Sequence, residues 1–324
     1  MFDIPKYRPL FILLAMLALP GLAVAAAPER WESFWTAEEL KAHAGDADLV
    51  IVDVRSEKEY AEGHIPGAIN LPGKKFRTPS SKGPEGKSSQ DIYLTPEGKP
   101  DVEKYEALLS AAGIRNDHMV VVYGSHAGKA DGSVPAAILQ WLGHEEVAFL
   151  NGVGVERWKA AGGELTTEPR TLPASEYEAS PAGDQVWDLE QVLAHLGDAD
   201  VVFFDTRSPA EFSGEDKRDN RRGGRIPGAV LLNYEDMMTD DTKEVIAPAE
   251  LQAKLDEAGI AKDKTVVLYC QTATRTSLPQ IALRDLGYEN VVVYDASWHE
   301  YGNRDDTPVE TPDGKVTPPV KKAE

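Results

Sequence analysis

The sequence predicts an α/β protein of two tandem domains, each a small parallel sheet with helices on both faces. Three observations support this fold class. The chain has 324 residues, about twice the roughly 150 of a typical domain. Short β-branched runs alternate with amphipathic helical patterns along most of its length. The motifs of the first half also return in the same order in the second half, which indicates an internal repeat.

Each half of the chain alternates strands with helices. Strands are predicted where apolar runs are bounded by turn residues, over residues 49–54, 120–123 and 147–150, and again over 201–205, 230–232, 265–269 and 291–294. Amphipathic patterns predict helices over 102–112, 134–142, 248–258 and 277–286. Continuous apolar strands that alternate with helices favour parallel sheets covered on both faces.

Ordered sequence matches relate the two halves. Residues 50–56, 65–68, 120–124 and 142–147 return at 202–208, 226–229, 266–270 and 286–291. The third match places Gly124 opposite Cys270, so a thiol stands only in the second half. Each half also has an insertion, over residues 73–90 in the first, predicted to be a surface loop, and over residues 215–224 in the second.

The repeat and the composition along the chain predict the domain boundaries. We expect a first domain over residues 28–165, a linker over 166–184, a second domain over 185–308 and a tail over 309–324. Residues 1–27 have the features of a secretory signal peptide: Lys6 and Arg8, then an apolar run, then small residues. The apolar run is about ten residues, too short for the roughly 20 that span a bilayer, and an uncleaved membrane anchor is the alternative. Cleavage near Ala25 or Ala27 would place a bacterial chain in the periplasm, without membrane contact.

Composition narrows the function. The 34 Lys and Arg residues against 54 Asp and Glu residues give a net charge of −20, which repels nucleic acids and anionic lipids. We therefore expect no nucleic-acid partner, and an anionic substrate would need a locally basic pocket. The single cysteine excludes an intramolecular disulfide and a thiolate-rich metal site, and the seven histidines have no metal-site spacing. We expect no metal and no cofactor.

Cys270 is the candidate nucleophile. It follows a predicted strand, and a helix can begin after it with Ser277 as N-cap. Backbone N–H groups of such a loop converge on one point, and the helix dipole adds positive charge there. A thiolate at Cys270 would gain from both and from the nearby Arg275. The alternative is a buried, inert cysteine at the end of a strand.

The length of the loop bears on its chemistry. Four residues separate Cys270 from Arg275, one fewer than in the cysteine phosphatases that use this topology. The shorter loop suits a persulfide sulfur better than a tetrahedral phosphate, so a phosphatase is disfavoured.

Over nearly all of the chain after its N-terminal segment, the sequence resembles the tandem-domain rhodaneses, the thiosulfate and 3-mercaptopyruvate sulfurtransferases. Asp-x-Arg, Ile-Pro-Gly-Ala and the loop position of the cysteine occur in this order in both halves. The resemblance implies two rhodanese-like domains, of which the first, with Gly124, is catalytically silent. It also implies that Cys270 takes a sulfane sulfur from a donor anion such as thiosulfate or 3-mercaptopyruvate. The persulfide then passes the sulfur to a thiol or cyanide.

The resemblance further suggests which residues bind substrate and persulfide. The amides of residues 271–275 are expected to hold the persulfide, and these residues are Gln271, Thr272, Ala273, Thr274 and Arg275. Tandem enzymes place a substrate-binding Arg where this chain has Glu211. Arg225, beside the second insertion, is the candidate replacement, with Arg218, Arg221 and Arg222 close to it in sequence and a solvated charged loop as the alternative. Trp298 is a candidate pocket wall, with packing as the alternative.

Two other interpretations complete the prediction. Asp53 with Arg55, and Asp205 with Arg207, are expected to hold loop ends together through buried, hydrogen-bonded ion pairs. The nonstandard loop and Glu211 keep open a second function, that of a persulfide carrier or a non-catalytic sulfur-binding partner protein.

Overall fold

The computed structural model describes residues 27–80, 89–181 and 183–317. The predicted signal peptide up to residue 26 and the middle of the predicted surface loop over residues 73–90 lie outside the described residues. Within the described ranges, no helix is both long enough and apolar enough to cross a bilayer.

The predicted β-branched runs form the central strands of two sheets. The first half contains β1 (Phe34–Trp35), β2 (Leu49–Asp53), β3 (Ala68–Asn70), β4 (Thr78–Ser80), β5 (Ser89–Asp91), β6 (Met119–Tyr123) and β7 (Val147–Leu150). The second half contains β8 (Val186–Trp187), β9 (Val201–Asp205), β10 (Val230–Leu231), β11 (Thr265–Tyr269), β12 (Val291–Tyr294), β13 (Val309–Glu310) and β14 (Val316–Thr317).

Helices connect these strands. In the first half they are α1 (Ala37–His43), α2 (Glu57–Glu62), α3 (Val102–Ala111), α4 (Val134–Trp141) and α5 (Gly154–Ala160). In the second half they are α6 (Leu189–Ala194), α7 (Pro209–Ser213), α8 (Pro248–Glu257), α9 (Ser277–Asp285) and α10 (Ser297–Tyr301). The shorter helices escaped the sequence analysis because one or two turns give little periodic signal.

The two main sheets have the same topology. The strand order is β1-β7-β6-β2-β3 in the first domain and β8-β12-β11-β9-β10 in the second. All neighbouring strands in these two sheets are parallel. The predicted repeat is therefore a repeat of structure, and Gly124 and Cys270 each follow an equivalent central strand.

Helices cover both faces of each sheet, as predicted. In the first domain, Val50 and Val52 of β2 pack with Leu109 of α3 on one face. Leu49 and Ile51 of the same strand pack on the other face with residues of α1 and α5. The alternation follows from the period of two along a strand, and both sets are apolar because both faces are buried.

The two domains share one buried core. A single hydrophobic cluster contains residues of α4 and α9, which pack against each other across the domain boundary. At the start of these helices, Ser133 Oγ and Ser277 Oγ are 2.8 Å apart. The buried Asp295 carboxylate also accepts the backbone N–H groups of Ile92, Tyr93 and Leu94 at 2.9, 2.9 and 2.8 Å. The Cys270 side of the second domain is thereby held against the first.

Most of the described linker and the start of the tail are packed against the domains, whereas residues 312–317 are exposed. Thr166 pairs with His64, Tyr177 is buried and Ser180 N–H donates to Leu142 O, so residues 166–180 lie along the first domain. In the tail, β13 and β14 form an antiparallel hairpin, and Glu310 pairs with Arg225 of the second domain.

Candidate active site

Cys270 lies at the carboxyl end of β11 and is 1% exposed. The chain then turns through residues 271–276 into α9, whose N-cap is Thr276 and not the predicted Ser277. The Thr276 hydroxyl donates to Ala273 O at 2.6 Å, and the Ser277 hydroxyl donates to Thr274 O at 2.8 Å. Both hydroxyls therefore brace the loop carbonyls, and neither caps the helix.

Ser297 holds the loop from beneath. Its Oγ accepts the backbone N–H groups of Cys270 at 3.2 Å and Ala273 at 3.1 Å. Ala273 has a φ of 52°, in the left-handed region that a residue with a Cβ seldom adopts. These contacts turn the Ala273 amide toward Ser297, which favours a structural role for it; that it holds the persulfide stays a prediction.

The other loop amides remain available to a ligand. Within residues 27–80, 89–181 and 183–317, the backbone N–H groups of Gln271, Thr272, Thr274 and Arg275 have no protein acceptor. They lie between the end of a strand and the first turn of α9, where a helix dipole favours negative charge. This part of the predicted cradle is thus compatible with an anionic sulfur on Cys270.

Trp298 supports the loop from behind. Its backbone N–H donates to Cys270 O at 3.0 Å. Its indole is 1% exposed, donates to Arg222 O at 3.2 Å and lies under the Arg207 guanidinium, 4.5 Å from the ring centroid. These contacts favour the packing alternative and not the substrate contact predicted for Trp298.

Arg275 forms a bidentate ion pair with Glu211. Its two terminal nitrogens donate to Glu211 Oε2 and Oε1 at 2.7 and 2.9 Å. Burial alone would raise the pKa of Glu211, but the hydrogen bonds and charge of Arg275 lower it to about 2. Burial alone would lower the pKa of Arg275, and Glu211 together with the Cys270 thiol raises it above its ordinary value. Arg275 is therefore a fixed cation whose charge is largely balanced.

The position of Glu211 explains this pair. Glu211 is the third residue of α7 and completes a capping box with Ser208. The capping box directs its carboxylate toward the start of the helix, where Arg275 reaches it. The substitution of a glutamate for the expected substrate-binding Arg therefore gives the loop Arg a partner.

The arginines beside the second insertion do not reach the cysteine loop. Arg225 forms an ion pair with Glu310, and its backbone N–H donates to Glu310 O at 3.1 Å. Arg222 donates to Tyr301 O at 2.9 Å, and Arg221 forms an ion pair with Asp305 at 2.8 Å. Arg225 was the predicted substrate-binding cation; this role stays a prediction, and the pairing with the tail favours a structural role for Arg225.

A basic residue that the sequence analysis missed does reach the loop. Arg77, from the first domain, donates to Thr272 O at 3.4 Å and to Thr274 Oγ1. It lies in the insertion predicted to be a surface loop, and its only sequence signal is the basic cluster with Lys74 and Lys75. Its proximity to Cys270 comes from domain packing, which local patterns do not report.

The equivalent loop of the first domain has no room for a nucleophile. A Cβ on Gly124 would lie 2.0 Å from Asp131 O and 2.8 Å from a methyl group of Val54. Ser125 closes the loop through two hydrogen bonds to Asp131: its backbone N–H donates to Asp131 O and its hydroxyl donates to Asp131 Oδ2, both at 2.7 Å. This packing leaves no space for a cysteine side chain at the equivalent position of the first domain.

The predicted ion pairs at the strand ends are confirmed. Arg207 donates to both carboxylate oxygens of Asp205 and to Gly224 O at 2.8 Å, and it is 1% exposed. Arg55 binds Asp53 and Gly63 O in the same way in the first domain. Each pair links the end of a central strand to the chain that follows the next helix.

The fold and the site together define a class: a tandem α/β protein with a buried thiol under a loop at the start of a helix. In the described part of the chain, no cluster of three or more metal-ligating side chains is present.

The chain belongs to the rhodanese family, because a model of the rhodanese-like domain matches residues 36–161 and again 188–304. A thiosulfate sulfurtransferase of Azotobacter vinelandii is 34% identical over 272 residues, 84% of this chain and 94% of the relative. One from Pseudomonas aeruginosa is 31% identical over the same shares.

Solved structures agree with this assignment. SseA from Escherichia coli, described as a 3-mercaptopyruvate sulfotransferase with the rhodanese fold, matches with a TM-score of 0.66 and 25% identity. The match covers 82% of this chain and 98% of SseA. An anaerobic ergothioneine biosynthesis enzyme from Chlorobium limicola shares the fold, with a TM-score of 0.70 and 23% identity over 86% of this chain and 70% of that one. The protein is a rhodanese-type sulfurtransferase, and its two domains are the tandem rhodanese domains that the sequence predicted.

Proposed function

We propose that this sulfurtransferase works in the periplasm and moves a sulfane sulfur from a donor anion to a thiol or cyanide through a persulfide on Cys270. The observation that carries the proposal is the position of Cys270, at the end of a central strand beneath loop amides that lack acceptors among the described residues. The names of the curated relatives favour thiosulfate as a donor, and 3-mercaptopyruvate remains the second candidate.

The proposed reaction has two steps and needs no further oxidant or reductant. In the first, the Cys270 thiolate attacks the outer sulfur of thiosulfate. The donor S–S bond breaks, its electron pair leaves with sulfite, and a persulfide forms on Sγ. In the second, the acceptor attacks the terminal sulfur of the persulfide, the Cys270 S–S bond breaks, and its electron pair regenerates the thiolate. With cyanide the product is thiocyanate.

The chain's own groups support each step. Amides of the loop and the start of α9 stabilise the thiolate and then the persulfide anion. Ser297 keeps the loop in its strained shape through the Ala273 amide. Since Arg275 is held by Glu211, it contributes a fixed field at the thiol and does not need to reorganise during the reaction.

Mass spectrometry tests the persulfide directly. Incubating the full chain without its signal peptide with thiosulfate or 3-mercaptopyruvate is expected to add about 32 Da, one sulfur atom, to Cys270. Cys270→Ser is the control and is expected to take up no sulfur. Absence of the adduct with every sulfane donor would contradict the persulfide mechanism.

Turnover separates the enzyme from the carrier alternative. Continuous thiocyanate production from thiosulfate and cyanide is expected for the enzyme. Transfer of a single sulfur per protein, followed by arrest, would instead favour a carrier.

Cell fractionation tests the export proposal. We expect the chain in the periplasmic fraction, with its N-terminus starting after Ala25 or Ala27, because the N-terminal segment has the features of a cleaved signal. An intact N-terminus in the cytoplasmic fraction would contradict it.

A further inference from the structure

Arg77 is a residue of the first domain that is fixed against the cysteine loop of the second. Its neighbours Phe76 and Thr78 are 1% and 6% exposed, so the backbone on both sides is anchored. Lys104 Nζ donates to Arg77 O at 2.6 Å and to Thr78 Oγ1 at 2.8 Å. From this anchored position the guanidinium reaches Thr272 and Thr274, two and four residues after Cys270.

Among the residues that the structure describes, no carboxylate forms an ion pair with Arg77. None of them places an acidic group within ion-pair distance of it, and its hydrogen-bond acceptors are neutral. Burial lowers the pKa of Arg77, and the charge of Asp295, followed by those of Cys270, Tyr105 and Tyr93, acts against this. A largely buried cation without a direct ion-pair partner is costly, and a bound anion would reduce that cost.

The other cations around the loop are already satisfied. Arg275 has both terminal nitrogens on Glu211, and Arg218 lies 3.4 Å from the same carboxylate. Arg225 is paired with Glu310. Arg77 therefore differs from these neighbours in having a positive charge that is still available to a substrate.

We propose that Arg77 is the specificity-determining cation of the donor site, where it binds the anionic head of the sulfur donor. The proposal rests on the proposed sulfur transfer at Cys270. A guanidinium has five N–H donors, and the contacts with Thr272 and Thr274 account for two of them. The remaining donors bind the donor oxygens and, as the donor S–S bond breaks, the negative charge that moves onto the leaving sulfite.

This assignment gives the silent domain a function in the reaction. Gly124 leaves the first domain without a nucleophile, but its insertion supplies the cation that the second domain has replaced by Glu211. The donor site is then complete only when both domains are present.

Charge-selective alkylation tests Arg77 without depending on any sulfur donor. Iodoacetate and iodoacetamide are similar in size and differ in charge, and Cys270 is the single thiol in the chain. We expect Arg77→Gln to lower the ratio of the iodoacetate rate to the iodoacetamide rate by about tenfold, since a positive charge near the thiol is lost. Arg77→Lys should retain most of the ratio because it keeps the charge.

The matched control is Arg157→Gln. Arg157 is also a first-domain arginine that contacts the second domain, through Glu244 at 2.9 Å, but it does not touch the cysteine loop. The ratio of the iodoacetate rate to the iodoacetamide rate in Arg157→Gln is expected to equal that of the wild type. Thr274→Val, which removes the hydroxyl that positions Arg77, provides a second variant and should lower the ratio about threefold.

Sulfur transfer gives the second measurement. With thiosulfate and cyanide, Arg77→Gln is expected to reduce kcat/KM for thiosulfate about tenfold, because Arg77 binds both the donor anion and the charge that develops on the leaving sulfite. An unchanged alkylation ratio in Arg77→Gln and Thr274→Val would overturn the proposal, and so would an unchanged kcat/KM in an active Arg77→Gln. If the wild type transfers no sulfur but Arg77→Gln still has the lower alkylation ratio, the proposed function is refuted and Arg77 remains an anion-binding residue.

Discussion

Replacing Glu211 with glutamine tests whether the ion pair with Arg275 stabilises the fold. Glu211 is 4% exposed, and its pKa falls from an ordinary value of 4.5 to about 2. A group with a lowered folded-state pKa contributes stability above its unfolded pKa and loses it as the pH falls through the folded pKa. The contribution of Glu211 is therefore complete at pH 7 and is lost progressively below about pH 4.5.

The expected magnitude follows from the difference between these two pKa values. Each unit of pKa difference is worth about 1.36 kcal/mol, so ionised Glu211 contributes roughly 3 kcal/mol to the free energy of unfolding. About 2 kcal/mol of this contribution is lost between pH 7 and pH 3. Urea unfolding of the wild type and of Glu211→Gln at both pH values measures this. The wild type should be the more stable at pH 7, and the gap should narrow by about 2 kcal/mol at pH 3.

The internal repeat offers a matched control for this experiment. Glu59 occupies the equivalent position in α2 and completes a capping box with Ser56, but in the described part of the chain no arginine of the opposite loop contacts it. Glu59→Gln should therefore show a smaller dependence on pH. A gap between wild type and Glu211→Gln that is the same at pH 7 and pH 3 would refute the reasoning, because the carboxylate would then not be stabilised by Arg275.

Three further predictions concern the loop and its counterpart. Arg275→Ala should slow persulfide formation roughly ten- to a hundredfold, and Arg275→Lys should retain part of the rate, as measured by stopped-flow and mass spectrometry with thiosulfate. Ser297→Ala removes the acceptor of two loop amides and should lower the free energy of unfolding by about 1–3 kcal/mol in urea, with a slower alkylation of Cys270. Gly124→Ala should lower the urea midpoint of unfolding, because its Cβ would lie 2.0 Å from Asp131 O. Gly45→Ala is the control and should leave the midpoint unchanged, because no described atom lies within 4 Å of its Cβ. Equal midpoints for the two variants would contradict the close packing described at Gly124.

Much of the fold was accessible from the sequence because its signals are local. The central strands, such as β2 and β11, are continuous apolar runs, since both faces of each sheet are buried. The repeated Asp-x-Arg motifs predicted the buried pairs of Asp53 and Asp205, because the two partners are two residues apart in sequence. Short elements such as α7 and β8 were missed, since a few residues carry too little periodicity.

The charges of the site were not accessible in the same way. Arg225 is a basic residue close in sequence to the expected position, yet its partner is Glu310 in the tail. In the sequence, Glu211 occupies the position where tandem enzymes have a substrate-binding Arg, which indicated a lost substrate contact. Only the folded chain shows that Glu211 is bound to Arg275. In each case the partner is distant in sequence, so no local pattern identifies it.

The sequence by itself determined the repeated α/β domains, the glycine at the first-domain position equivalent to the cysteine, and the candidate nucleophile Cys270, because strand patterns, loop spacing and residue identity are properties of short segments. Only the tertiary structure decided which cation faces the cysteine loop. Arg77 is 193 residues from Cys270, and it reaches the loop because the two domains pack through a shared core and through Asp295. The interaction of such a pair depends on distance in space, which only the packing of the domains sets.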